Sequence, residues 1–244
     1  RMSVLAGFLS AYPLRARLQP ALLAMLPLLT LLVLAPDSWT PLKTVFVIAV
    51  IAGVTLLLTQ IARDAGRRIE QDLFHQWGGL PSVAMLRHRD HRVTPATKQR
   101  YHAQLTTALG TPMPSEADEA NDPPAADRVY LSASDWLRAR SRGAGFEALF
   151  EENIDYGFRR NLLGLKPWAI GGACVAGGVI LLAHWRHWPM PVPAIAAPYV
   201  GPAIAFLVVF SVLMLLIVRK TWVKRAADNY ALRLLETLDR VDAR

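Results

Sequence analysis

The sequence contains a single cysteine and none of the residue clusters that support common forms of catalysis. Cys174 lies inside a long apolar stretch, so it can neither close a disulfide within the chain nor contribute to a metal framework. No Gly-x-Ser-x-Gly motif is present, and "GGLPS" at 78–82 lacks the lysine that a phosphate-binding loop requires. We therefore expect neither enzymatic activity nor a cofactor.

The histidine-rich segment "LRHRDHR", residues 86–92, has metal-capable side chains without the spacing of a known type of site. The helical zinc motif needs two histidines four residues apart and a glutamate, whereas His88 and His91 are three apart. His102 does not complete a set of four ligands, and three arginines in the segment would repel a cation. We predict a solvated or phosphate-contacting surface here and no metal site.

Charged side chains are almost absent from four long apolar segments, and no strand-rich pattern of comparable length accompanies them. Lys43, near the start of the second segment, is the one exception. Hydrophobic residues make up 53% of the chain, more than an ordinary soluble fold contains. Each segment approaches the roughly 20 residues that cross about 30 Å of hydrocarbon. The sequence therefore predicts an all-α integral membrane protein with four transmembrane helices in two hairpins: 18–35, 42–62, 167–185 and 200–218.

The first apolar segment is the shortest and contains Pro27, which fits a kinked span or a segment lying partly in the membrane interface. A cleaved signal peptide is the other alternative, with Arg15 and Arg17 as its basic region. However, no small-residue cleavage pattern follows it cleanly, and a second apolar segment begins after only Asp37 to Thr40. A helical hairpin is the better interpretation.

Clusters of basic residues flank the four apolar segments on one side, which predicts their orientation. The opposite connections, "PDSWT" and "RHWPMPVPAIAAPY", are short and contain one basic residue, Arg186. By the positive-inside rule, both termini and the central region are cytoplasmic, and we place this multi-pass protein in a bacterial inner membrane. The membrane-edge basic residues are Arg15, Arg17, Arg63, Arg67, Arg68, Lys166, Arg219, Lys220, Lys224 and Arg225.

The distribution of charge argues for a lipid bilayer and against nucleic acid as a partner. The chain has a net charge of +8, but residues 64–160 contain 13 basic and 14 acidic residues. The positive surplus therefore lies mostly at the membrane edges. There, anionic headgroups attract each near-surface charge by about 1 kcal/mol.

This pattern divides the chain into five segments: a cytosolic N-terminal segment (1–17), a transmembrane hairpin (18–62), a cytosolic helical domain (63–166), a second hairpin (167–218) and a cytosolic C-terminal helix (219–244). In the central domain, the second span should continue as one long helix until Gly78 and Gly79. A second helix should begin at the N-cap Thr94 and end at Gly110, and a third should begin at Asp122.

The connections within the central domain are predicted to lack regular structure. "LPSVAML", residues 80–86, should be an extended connector, and the acidic, proline-bearing stretch at 111–124 should be a mobile loop. A separate helix carrying Phe146, Leu149, Phe150 and Ile154 should precede the third span. A fresh helix should then start at Pro167.

The C-terminal helix has a short apolar seam, spaced as in a coiled coil. Only about two heptads are present, so the pattern leaves two alternatives open. The helix docks on the central domain, or it associates with a second copy. The seam residues are Ala227, Ala231, Leu234, Leu238 and Val241.

Small residues on the third span predict a close helix–helix contact. Gly172 and Ala176 are four apart, as are Ala173 and Gly177, and this spacing lets another helix approach closely. The partner helix belongs to the same chain or to a neighbouring copy, so a homo-oligomer is one expected assembly.

The charged segment "EENIDYGFRRNLLGLKPW", residues 151–168, is interpreted as a joint between the cytosolic domain and the third span. Gly157 and Gly164 should weaken the helix on either side of "FRRNLL". A solvated charge ladder on a packed connector is the simpler alternative. The proposed joint residues are Glu151, Glu152, Asp155, Tyr156, Arg159 and Arg160.

Two function classes remain compatible with this layout. In the first, the protein is a membrane-anchored assembly or signalling component whose cytosolic module binds a protein partner. In the second, it is an oligomeric channel-like or membrane-perturbing effector. A secondary transporter is disfavoured because the spans lack internal charges. Two hairpins separated by a helical domain are common to many unrelated proteins and indicate no family.

Overall fold

The computed structural model describes residues 11–34, 41–143, 145–185 and 197–241, and every element in these ranges is a helix. The N-terminal helical segment comprises Ala11–Pro13, a π-helical turn at Leu14–Leu18, and α1 (Gln19–Val33). The other helices are α2 (Pro41–Gln76), α3 (Pro81–Leu86), α4 (Pro95–Leu109), α5 (Glu116–Asn121), α6 (Pro123–Arg140), α7 (Glu147–His184), α8 (Ala197–Ile217), α9 (Lys220–Glu236) and α10 (Leu238–Val241).

The chain forms two compact units. The described residues within 1–70 and 157–223 form the first, which we call the bundle unit. The described residues within 71–156 and 224–244 form the second, which we call the helical module. The chain passes between the two units within α2, α7 and α9, so these three helices belong in part to each.

The core of the bundle unit is almost entirely apolar and receives side chains from four long helices. Ala24 of α1, Ala62 of α2, Ala173 of α7 and Leu207 of α8 belong to one buried cluster. Small side chains are frequent in this cluster, which allows the helices to approach closely. The same helices expose many large apolar side chains on their outer faces, including Leu57, which is 66% exposed.

The helical module has a separate core, built from α3, α4, α6, the start of α7 and the C-terminal helices. Tyr130, Met85 and Leu105 are fully or almost fully buried in it. Leu234 and Leu238 lie in the same cluster, so the C-terminal seam docks on the central domain of its own chain. A self-association seam would leave these leucines exposed, and that alternative is wrong for them. The side chain of Val241 lies outside the described residues.

Local sequence signals predicted several helix boundaries correctly. α2 continues to Gln76, and Gly78 and Gly79 follow it with φ values of 78° and 126°. The side chain of Thr94 accepts a hydrogen bond from the N–H of Thr97 at the start of α4, and Gly110 ends that helix in the left-handed conformation. Asp122 caps α6 in the same way as Thr94 caps α4.

Two segments that we expected to be irregular are helical. Residues 81–86 form α3 instead of an extended connector, and all six side chains are buried. The acidic stretch contains α5, in which Ser115 and Asp118 form a reciprocal capping box. The burial of Glu119 anchors this helix. Such a tertiary contact is not visible in local composition.

Pro167 does not start a new helix, which corrects another prediction. α7 runs without interruption from Glu147 to His184, so the helix with Phe150 and the third apolar segment are one element. Leu162 and Leu165 before the proline and Ala169 after it all belong to the bundle core. Packing on both sides of Pro167 stabilises a helix that loses one backbone hydrogen bond there.

Two of the described helices are long and apolar enough to cross a membrane, at Glu147–His184 and Pro198–Ile217. The other two predicted spans coincide with α1, which has 15 residues and contains Pro27, and with the first half of α2. The connection with Asp37 lies outside the described residues, and so does the connection with Arg186 as far as residue 196. Trp185, at the end of the third apolar segment, is 80% exposed.

Candidate functional site

The helical module contains a cleft of about 600 Å³ near the junction of α6 and α7. This volume falls within the usual range of ligand-binding pockets, about 300–1,000 Å³. Leu149 and Phe150 of α7 and Tyr230 of α9 provide apolar surface, and Arg138 and Arg142 provide positive charge. The lining of the cleft therefore combines apolar and aromatic surface with two positive charges.

The turn between α6 and α7 shapes one side of the cleft. Gly143 and Gly145 have φ values of 91° and 93°, a left-handed conformation that side chains with a Cβ rarely adopt. The guanidinium of Arg240 donates to the carbonyl of Gly145 at 3.0 Å, which ties the turn to α10. The hydroxyls of Ser141 and Thr237 are 2.7 Å apart and form a second tie.

The charged side chains around the cleft differ in their ion-pair and hydrogen-bond partners. Arg138 pairs with Asp135, one turn earlier on the same helix. Arg142 is exposed, and no carboxylate lies within salt-bridge distance of it in the described part of the chain. Hydrogen bonds from the backbone N–H groups of Gly145 and Glu147 hold the pKa of the Glu147 carboxyl below its usual value. Glu147 therefore remains a negative charge beside two positive ones.

The aromatic side of the cleft is continuous with the interior of the module. Tyr230 stacks on Tyr156, with ring centroids 6.5 Å apart. Phe146 is buried in the module core, whereas 44% of Phe150 is exposed. The structure thus places Tyr156, which we assigned to the joint, next to a residue that lines the cleft.

The three arginines of the segment 87–92 form ion pairs with carboxylates. Arg87 forms a bidentate pair with Asp127, with N–O distances of 2.7 and 2.8 Å. Arg92 pairs with Asp90 and with Asp228 of α9, each at 2.7 Å. The ammonium of Lys98 donates to the carbonyls of Arg87 and Asp90. No group of three potential metal ligands occurs among the residues that the structure describes.

Glu119 of α5 connects this segment to α6 by hydrogen bonds. Its carboxylate is buried and accepts hydrogen bonds from the backbone N–H of His88 at 2.7 Å and from the hydroxyl of Tyr130 at 3.0 Å. Burial, followed by the hydrogen bond to Glu119, raises the pKa of Tyr130. Burial also lowers the pKa of His102, whose Nε2 lies 2.8 Å from the carbonyl of Leu86. These groups tie α3, α4, α5 and α6 together.

The structure places the predicted joint residues on one continuous helix, α7. Glu151, Glu152, Asp155 and Tyr156 belong to the helical module, and Arg159 and Arg160 belong to the bundle unit. Arg160 pairs with Glu70 of α2 at 2.6 Å. Arg159 lies over the ring of Trp222, 4.9 Å from its centroid, and donates to the Trp222 carbonyl at 3.2 Å.

The glycines beside the predicted joint pack closely against neighbouring helical segments. A Cβ added at Gly157 would lie 3.1 Å from Ala16 and from the hydroxyl of Tyr12. A Cβ added at Gly164 would lie 2.7 Å from backbone atoms of Ala65 and Gly66. Close helix approach therefore explains these two glycines.

The small residues of the third apolar segment face other helices of the same chain. Ala173 and Ala176 are buried in the bundle core. A Cβ at Gly172 would contact Leu28 of α1 at 3.6 Å, and one at Gly177 would contact Leu207 of α8 at 3.8 Å. Both distances are ordinary van der Waals contacts. Among these glycines of α7, the closest approach to another helix occurs at Gly164, which precedes the predicted small-residue face in the sequence.

The membrane-edge basic residues fall into groups with different contacts. Lys166 donates to the carbonyl of Val218 at 2.9 Å, and Lys224 pairs with Asp228 at 2.7 Å. Arg17, Arg63 and Arg67 lie on the π-helical turn and on α2, both of which contact Asn161 of α7. The remaining residues of this set with exposed side chains are Arg15, Arg68, Arg219, Lys220 and Arg225.

Our sequence interpretation missed the cleft, the glycine contact and a buried amide at Asn161. Asn161 is 1% exposed, and its Nδ2 donates to the carbonyl of Ala16 at 2.7 Å. Two signals for the glycine contact were present: the four-residue spacing of Ala62 and Gly66, and the seven-residue spacing of Gly157 and Gly164. Comparisons with protein-family models, curated proteins and solved structures found no match for this chain.

Proposed function

We propose that this chain is a membrane-anchored assembly or signalling component whose helical module binds a partner protein in the cleft. The observation that carries the proposal is the combination of exposed Phe150 with the positive charges of Arg138 and Arg142. Aromatic and arginine side chains provide most of the binding energy at many protein interfaces. The partner that fits is an apolar segment with an acidic residue that reaches Arg142.

Four spans in two hairpins provide the anchor in this proposal. α1, α2, α7 and α8 contribute to a single apolar core, so the two helices long enough to cross a membrane pack with the other two apolar segments. Large apolar side chains also cover the outer faces of α2 and α8, where Leu57 is 66% exposed and Leu216 is 57% exposed. In water such faces would be costly, whereas lipid accommodates them.

The continuous helix α7 supports the proposed joint. Phe150 and Asn153 line the cleft, and the same helix continues to His184 through the third apolar segment. Binding at the cleft is expected to act on this helix directly. Charge reversal at Glu151, Glu152 and Asp155 should leave membrane insertion intact while reducing cellular activity. Full activity of that variant would contradict the joint.

Site-specific photo-crosslinking in native membranes tests the cleft. A photoreactive amino acid in place of Phe150 should give an adduct, and the same residue in place of Leu131 should not. The pair is well matched because both positions lie in the helical module and their exposed fractions are 44% and 43%. The Arg142→Glu variant should abolish the adduct. Equal yields from both positions, or none from position 150, would refute the proposal. An adduct of twice the chain mass would identify a second copy as the occupant.

Cysteine labelling tests the anchor and its orientation. With Cys174 replaced by alanine, a cysteine at the exposed position Leu131 should react only after the cytoplasmic side is opened. A cysteine at Ala194, in the opposite predicted connection, should react from outside. Equal labelling from outside would contradict the topology, and release of the chain by alkaline extraction would contradict membrane insertion. Leakage of dye from liposomes on addition of cell extract would instead favour the effector class.

A further inference from the structure

Three helical segments of the bundle unit meet at a polar corner. The segments are the π-helical turn Leu14–Leu18, residues 63–70 of α2 and residues 157–164 of α7. The buried amide of Asn161 joins two of them through its hydrogen bond to Ala16. A Cβ added at Gly66 would overlap Oδ1 of Asn161, so α2 is also in direct contact.

Four arginines lie on these three segments: Arg17 on the π-helical turn, Arg63 and Arg67 on α2, and Arg160 on α7. Arg63, Arg67 and Glu70 are on one face of α2 because they are spaced by four and three residues. Burial, followed by repulsion from Arg63, lowers the pKa of Arg17, and Arg67 and Arg160 lower it further. The positive charges of the corner therefore repel one another in the folded chain.

The corner has less negative charge than its arginines require. Glu70 is paired with Arg160 at 2.6 Å. Arg63 and Arg67 have no salt bridge in the described part of the chain, and Nε of Arg63 is buried without a hydrogen-bond partner there. A buried donor without an acceptor is unfavourable because it has lost its hydrogen bonds to water and gained none in the protein. An oxyanion at this position would accept from Arg63 and offset the repulsion.

Large exposed apolar side chains lie close in sequence to the arginines of the corner. Leu14, Leu22 and Ile61 are all large, exposed hydrophobic residues, and they lie next in sequence to Arg15, near Arg17 and next to Ala62, respectively. A free phosphate ion would leave them in water. A lipid would place its phosphate at the arginines and its acyl chains along these residues.

We propose that Arg17, Arg63 and Arg67 bind the phosphate of an anionic membrane lipid, with Arg160 held beside them by Glu70. Guanidinium groups suit this role because they stay charged and donate in a planar fork to phosphate oxygens. Basic pockets between membrane helices on the cytoplasmic side commonly bind such headgroups. The proposal rests on the membrane insertion proposed above.

Native mass spectrometry of the purified full chain in detergent tests this site. Titration with phosphatidylglycerol should give a saturable one-to-one adduct, while phosphatidylcholine and inorganic phosphate at the same concentration should not. The Arg63→Gln, Arg67→Gln double variant should bind phosphatidylglycerol at least tenfold more weakly. The matched control, Arg219→Gln with Arg225→Gln, also removes two membrane-edge charges, here both exposed, and should change the affinity less than twofold.

Each other result overturns the proposal in a specific way. Equal losses in both double variants would show general electrostatic attraction instead of a site. Equal adducts with phosphatidylcholine would remove the requirement for an anionic headgroup, and binding of inorganic phosphate would make the ligand a free anion. If the double variant misfolds, the single variant Arg67→Gln, at an exposed position, still tests the site. The comparison of phosphatidylglycerol with phosphatidylcholine on the wild-type chain does so as well. Release of the chain from membranes by alkaline extraction, by contrast, would refute membrane insertion itself.

Discussion

Gly164 of α7 lies directly against the backbone of Gly66 in α2, and a Cβ at Gly164 would be 2.7 Å from the Gly66 nitrogen. Two helices that are nearly a hundred residues apart in sequence thus touch backbone to backbone. This contact belongs to the bundle unit, where the buried amide of Asn161 lies beside it. Neither backbone can move aside as a flexible side chain could.

Gly164→Ala should therefore destabilise the bundle unit. Overpacking at a tight contact typically costs about 1–3 kcal/mol, which exceeds the helix-propensity gain of roughly 1 kcal/mol for replacing glycine. Gly178→Ala is the matched control, since it lies on the same helix and a Cβ there meets nothing within 4 Å. Thermal unfolding in detergent should show a lower midpoint for Gly164→Ala only. Equal midpoints for the two variants would contradict the close contact.

The ion pair between Arg160 and Glu70 should contribute measurable coupling. Their side chains are 12% and 23% exposed, so solvent screens the pair less than a surface pair. A double-mutant cycle with Arg160→Gln and Glu70→Gln should give a coupling energy of about 1 kcal/mol. The same cycle on Arg233 and Glu236, both 52% exposed, should give about 0.5 kcal/mol or less. Similar coupling energies in the two cycles would show that the partial burial has no effect.

Glu119→Ala should be among the most destabilising substitutions in the helical module. It would leave the N–H of His88 and the buried hydroxyl of Tyr130 without their acceptor. The expected loss in the free energy of unfolding is about 3 kcal/mol. Glu116→Ala, at an exposed position of the same helix, should cost about 0.5 kcal/mol or less. Denaturant unfolding monitored by circular dichroism measures both, and similar losses would refute a structural role for Glu119.

The stability of the helical module should fall as the pH drops below about 6.5, in part because of His102. Burial lowers the pKa of His102 in the folded chain from its ordinary value of 6.5. Between the lowered pKa and 6.5, the unfolded chain binds a proton that the folded chain does not, so acid favours unfolding. This stabilisation is complete above 6.5 and is lost as the pH falls through the folded pKa.

Unfolding between pH 8 and pH 5 measures this effect. His102→Gln keeps an N–H donor for the Leu86 carbonyl but cannot titrate, so its free energy of unfolding should fall less with acid than that of the wild type. His75→Gln, at an exposed position, should follow the wild type. A wild-type pH dependence in His102→Gln would show that other groups account for the loss.

Sequence signals were most reliable where the physical cause is local. Thr94, Gly110 and Asp122 marked helix boundaries because capping depends on residues within one turn. The docking of the C-terminal seam was less certain, because an apolar stripe shows that one face is buried without showing what covers it. Its two alternatives separated only when Leu234 and Leu238 were found in the module core.

By itself the sequence determined that the chain is helical and where many helices begin and end. It also determined that long apolar segments flank a polar region in which basic and acidic residues nearly balance. These features follow from periodicity, capping and hydropathy, which act over a few residues. The tertiary structure alone decided that Pro167 lies within a continuous helix, that Gly66 meets Gly164, that Arg160 pairs with Glu70 and that a cleft opens beside Phe150. Each of these depends on neighbours supplied by distant parts of the chain, and a local pattern cannot specify which surfaces come together.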